Sequence, residues 1–64
     1  MKRKDLINHL KSNGCNLYRE GSKHSVYVNP IAKKSSTIPR HSEINKFLSI
    51  KICKDLEIPY PYKK

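Results

Sequence analysis

Two kinds of side chain in this sequence are equipped for chemistry near neutral pH: the imidazoles of His9, His24 and His41, and the thiols of Cys15 and Cys53. Histidine gives or takes a proton near neutrality without strong tuning, because its reference pKa is about 6.5. The thiols suggest packing rather than reaction. Neither cysteine lies in a CxxC pair, and the cysteines and histidines show none of the short paired spacings of zinc ligands. Neither a metal nor a cofactor is expected, and Cys15 and Cys53 read as small apolar residues. Charge adds the second clue. Lysine and arginine number 14 against 5 acidic residues, a formal charge of +9 on 64 residues, which makes polyanions the natural partners. The cations are spread from Lys2 through Arg19, Lys23, Lys33, Lys34 and Arg40 to the C-terminal half, so the folded surface itself is basic.

Positioning these groups falls to a single domain, since 64 residues bury too little surface to be divided. Between Lys2 and Asn13, apolar Leu6, Ile7 and Leu10 share one face at helical spacing, and Gly14 stands where a left-handed helix end belongs. CNLYRE and HSVYVNP, enriched in tyrosine and valine around a GSK turn, predict a β-hairpin closed by Pro30. IAKKSS reads as a polar, basic connection, and STIP as a short third strand ending at Pro39. Ser42 is placed to cap a second helix, with Glu43 in its first turn. Ile44, Phe47, Leu48, Ile52 and Leu56 form its stripe for burial, Lys46, Lys51 and Lys54 lie outside, and Pro59 stops it. The domain therefore covers 1–58, with a loose C-terminal tail over 59–64. The predicted class is α+β in the order α-β-β-β-α, with two helices on one face of a three-stranded antiparallel sheet, like double-stranded RNA-binding domains. No apolar run approaches the roughly 20 residues of a spanning helix. The charged, amphipathic N-terminus is unlike a signal peptide, so a cytoplasmic location and reduced thiols are expected.

Each chemical candidate also has a plain structural reading. His24 shares strand parity with Val26 and Val28, which suits a histidine at the margin of the core. His41 precedes a helix and suits a capping or backbone contact, while His9 reads as a solvated surface residue. Tyr18 and Tyr27 suit cross-strand packing. Lys33 and Lys34 suit either a phosphate track or a merely solvated loop.

The stretch GSKHSVYVNP, followed by TIPRH and an amphipathic helix, resembles the HicA family of toxins, small ribonucleases of HicA/HicB toxin-antitoxin pairs. The likeness runs over nearly the whole chain and rests on Gly14, Gly21, Ser22, His24, Tyr27, Asn29 and Pro30, then Ile38, Pro39, Arg40 and His41. Two positions depart from the common pattern. Lys23 stands between Ser22 and His24, so the turn is either one residue longer or lacks the first histidine of a doubled pair. Glu57 takes the place of a glycine near the end of the last helix.

The resemblance implies a metal-independent endoribonuclease acting on messenger RNA, with His24 catalytic. His41 is a candidate second acid or base, and Tyr27 a candidate for stacking on a base or orienting the histidine. Arg19 and Lys23 are candidates for holding the phosphate, with Lys33, Lys34 and Arg40 on the wider RNA surface and Gly21 and Ser22 forming the motif turn. It also implies a HicB-type antitoxin partner that covers His24. The alternative is a non-catalytic module that binds double-stranded or structured RNA, which charge and element order fit equally well. A DNA-binding regulator fits poorly, because strand-like residues fill the space between the helices.

Overall fold

The structure, a computed structural model, describes residues 1–61. The elements run α1 (Arg3–Ser12), β1 (Asn16–Glu20), β2 (His24–Asn29), β3 (Lys34–Pro39) and α2 (Lys46–Asp55). The α-β-β-β-α order and the α+β class are those expected from the sequence.

Helix α1 buries Leu6, Ile7 and Leu10. Gly14 follows it with φ at 84°, the left-handed conformation that costs a glycine least. That turn lets Gly14 N donate to the Lys11 carbonyl at 3.1 Å and Cys15 N to the Leu10 carbonyl at 2.9 Å, which is a Schellman ending. Cys15 is thereby directed into the core.

The sheet has the order β1-β2-β3 and is antiparallel throughout. A bulge between Leu17 and Arg19 leaves Tyr18 on the edge strand, 72% exposed. Strand β2 alternates strictly, with Ser25, Tyr27 and Asn29 buried and His24, Val26 and Val28 turned outward. Parity links His24 to the two valines as read from the sequence, but that face is the open one. The helices cover the opposite face, where Tyr27 joins Leu6, Leu10, Ile38, Ile52 and Leu56 in one cluster. Polar residues sit inward here because each finds partners. Asn29 Nδ2 donates to the Leu56 carbonyl at 2.8 Å, and its Oδ1 accepts from Ile31 N at 3.2 Å. Strand β3 begins at Lys34, so Lys34 and Ser35 belong to the strand and not to the connection before it.

Helix α2 starts later than the sequence suggests. Asn45, not Ser42, is its N-cap, accepting from Leu48 N at 2.8 Å, and Glu43 lies outside its first turn. The segment before it is pulled away by the N-terminus. Arg3 N donates to the Ser42 carbonyl at 2.9 Å, Ile44 N donates to the Met1 carbonyl at 2.8 Å, and Lys2 bridges to Glu43. The buried positions are Ser49, Ile52, Cys53 and Leu56, while Phe47, about 140° around the helix from Ile52, faces solvent at 84% exposure. Phe47 is thus not part of the buried stripe. The helix closes on a second Schellman turn, in which Glu57 N donates to Lys54 O at 3.1 Å and Ile58 N to Cys53 O at 3.0 Å. Glu57 holds φ at 55° where the first helix uses Gly14.

His9 is not simply solvated, because its Nε2 lies 2.7 Å from the Pro59 carbonyl and fixes the start of the segment expected to be a loose tail. Residues 62–64 of that tail lie outside the described residues. Among the described residues no helix is long and apolar enough to cross a membrane.

Candidate functional site

The site forms where the β1–β2 turn meets the end of β3. Gly21 opens that turn, and its N donates to the His24 carbonyl at 2.7 Å. A Cβ at Gly21 would lie only 3.0 Å from that carbonyl oxygen, so the close approach of backbone to backbone favours glycine. His24 is the first residue of β2 and is paired with Pro39, the last residue of β3. Its ring is exposed on the open face.

Two depressions flank the imidazole and share it. One, of about 380 Å³, is lined by Arg19, Gly21, Ser22, Lys23, His24 and Val26. The other, of about 370 Å³, is lined by Ser22, Lys23, His24, Pro39, Arg40 and His41. Arg19 reaches the first because it sits opposite Val26 on β1 and so shares the open face. His41 reaches the second because it follows Pro39 by two residues. Cations therefore stand on both sides of His24, and a second imidazole, His41, lines one of the two depressions with it.

Not every residue singled out in the sequence gathers here. Tyr27 is 5% exposed and belongs to the core on the opposite face of β2. It packs against the helices, and stacking on a base beside His24 or orienting that ring is not open to it. Lys33 and Lys34 lie at the other end of the sheet, where Lys34 pairs with Asn29, and Lys34 Nζ is 3.8 Å from Glu57. Five residues of extended strand separate that end from His24, about 17 Å. Arg40 is engaged, with Nη2 3.2 Å from Glu20 Oε2 and Nε donating to the Gly21 carbonyl at 3.0 Å. Three residues of this end were not singled out from the sequence: Arg3, Ser25 and Glu20. Opposite charges at Glu20, which ends β1, and Arg40, which follows β3, are the one pattern that could have found any of them.

Glu20 is held below the usual carboxylate range, first by the hydrogen bond from Ser25 and then by the charges of Arg40 and Arg3. It is ionised near neutrality. Cys53 is pushed up to about 11 by burial and, secondarily, by its neighbour Cys15, whose own thiol burial also raises. Among the described residues, no three of His, Cys, Asp and Glu come together as metal ligands would.

Fold and site together define a class: a small basic α+β domain that presents a solvent-open histidine between cationic depressions. Residues 3–58 match the HicA toxin of bacterial toxin-antitoxin systems, and the chain belongs to that family. No curated protein and no solved structure matches it.

Proposed function

We propose that this protein is a toxin endoribonuclease that cleaves messenger RNA through proton transfer at His24. The observation that carries the reading is the exposed imidazole at the junction of two depressions lined by Arg19, Lys23, Arg40 and His41. RNA supplies its own nucleophile. The 2′-hydroxyl attacks the adjacent phosphorus, the bond to the 5′-oxygen breaks, and a 2′,3′-cyclic phosphate and a 5′-hydroxyl remain. One group must take the hydroxyl proton, another must protonate the leaving oxygen, and positive charge must meet the phosphorane. His24 serves the first or second of these and His41, which lines the second depression with it, serves the other. Arg19 and Lys23 hold the phosphate. The route asks for no metal, and DNA, without the 2′-hydroxyl, is spared. A HicB-type antitoxin would silence the protein by covering His24 and its cations with an acidic surface that competes with RNA phosphate.

The test is cleavage of a defined RNA by the purified protein in the presence of a chelator. Cyclic-phosphate ends and a loss of about 10²- to 10⁴-fold in His24→Ala are expected, the range one general acid or base supplies. Unchanged cleavage by His24→Ala would overturn the assignment. Intact RNA with only a salt-sensitive mobility shift would mark a binding module instead.

A further inference from the structure

One side chain of α1 reaches across to the strand pair that carries His24. Arg3 donates from Nε to the Pro39 carbonyl at 2.9 Å and from Nη2 to Ser25 Oγ at 2.9 Å. Pro39 is the cross-strand partner of His24, and Ser25 is its neighbour in the chain. The same guanidinium thus grips the backbone opposite the imidazole and the side chain beside it. Ser25 Oγ in turn donates a hydrogen bond to Glu20 Oε1, and Glu20 Oε2 pairs with Arg40 Nη2. Arg40 Nε then holds the Gly21 carbonyl at 3.0 Å. An unbroken relay of hydrogen bonds leads from α1 to the turn that precedes His24.

The position calls for such a clamp. His24 and Pro39 form the terminal pair of their ladder, and terminal pairs fray. The His24 carbonyl accepts from Gly21 on the β1 side and the Pro39 carbonyl accepts from Arg3, so this last pair exchanges no ladder hydrogen bond through those oxygens. Arg3 supplies a fixed, planar two-pronged contact where the sheet cannot.

We propose that Arg3 is a positioning residue for His24, acting through Pro39 and Ser25 to fix the imidazole relative to the phosphate held by Arg19 and Lys23. The proposal rests on the reading of His24 as the proton-transfer group. Arg3 does not line either depression, so it acts on turnover and not on substrate capture. A displacement of an ångström at a reacting group costs about a hundredfold in rate.

The experiment measures kcat and KM on a defined RNA for Arg3→Met, Arg3→Lys and Ser25→Ala, with His24→Ala as reference and melting followed by circular dichroism. For Arg3→Met the expected result is a fall in kcat of about ten- to a hundredfold, with KM changed less than about twofold. Arg3→Lys keeps the charge but cannot hold both acceptors, so it falls nearly as far. Ser25→Ala loses one prong and the link to Glu20, and kcat falls about tenfold. That variant carries the test should Arg3→Met melt below the assay temperature. A kcat unchanged in both Arg3→Met and Ser25→Ala, with His24→Ala inactive, overturns the positioning role and leaves the catalytic assignment standing. Full recovery in Arg3→Lys, or a rise in KM alone, overturns it too. An active His24→Ala overturns both readings.

Discussion

Burial separates the titratable side chains into those available for chemistry and those withdrawn from it. His24 and His41 are exposed on one depression, while Cys15 and Cys53 are sealed in the core. For a thiol, burial disfavours the charged form and raises the pKa, so Cys53 at about 11 keeps about one part in a thousand as thiolate at pH 8. Reaction of both cysteines with a disulfide reagent is therefore expected to be slow in the folded protein and fast in urea. Its rate should rise with pH across the alkaline range, and two thiols that react within seconds at pH 8 would contradict their placement. At this scale the sequence displayed the reactive types and the motif turn, because those are properties of neighbouring residues. It did not display Arg3, whose partners lie 36 and 22 positions away. Nor did it show which face Tyr27 takes, since alternation gives two faces and does not say which the helices cover.

Both helices end in the same hydrogen-bonded turn, and the two endings differ in one residue. Gly14 adopts the left-handed conformation freely, whereas Glu57 adopts it against the contact between its Cβ and the backbone. The Lys34 to Glu57 ion pair offsets little of that cost, being 3.8 Å long with both side chains exposed. Glu57→Gly is accordingly expected to stabilise the protein by about 0.5–1 kcal/mol, read from urea or thermal unfolding, with RNA cleavage unchanged. A destabilised variant would show that the ion pair outweighs the strain. The departure at Glu57 was visible in the sequence beside the resemblance, and the structure supplies its physical meaning. The start of α2 was not visible. Ser42 has the right side chain for a cap, but pairing of residues 42–44 with the N-terminus takes that backbone first, and Asn45 becomes the cap. Phe47 stands in solvent for a separate reason, since it lies about 140° around the helix from Ile52 and so opposite the buried face.

For the molecule as a whole, charge and fold address different parts of recognition. The order of elements was legible because it sums many local preferences, and the +9 charge because it needs no structure at all. What the fold adds is the distribution: Arg19, Lys23 and Arg40 surround His24, and Lys33 and Lys34 occupy the far end of the sheet. Arg40 is already paired with Glu20, so Arg19 and Lys23 are the cations freer to meet a phosphate beside the imidazole. Each neutralised phosphate of a single strand contributes about 0.7 to the slope of log affinity against log salt. Measured on His24→Ala so that the RNA survives, Arg19→Gln and Lys23→Gln should each reduce the slope by about that amount and weaken binding at low salt. In the active protein the same two changes should lower kcat, because they remove charge from the reacting phosphate. Lys33→Gln and Lys34→Gln, about 17 Å along the sheet, should leave kcat in place, and a loss of affinity should come mainly from Lys33, because Lys34 pairs with inward-facing Asn29 and meets Glu57. A strand that binds at the His24 end alone would ignore the distal pair. The slope of the double variant Lys33→Gln, Lys34→Gln thus tells whether RNA runs the length of the sheet or only crosses its catalytic end.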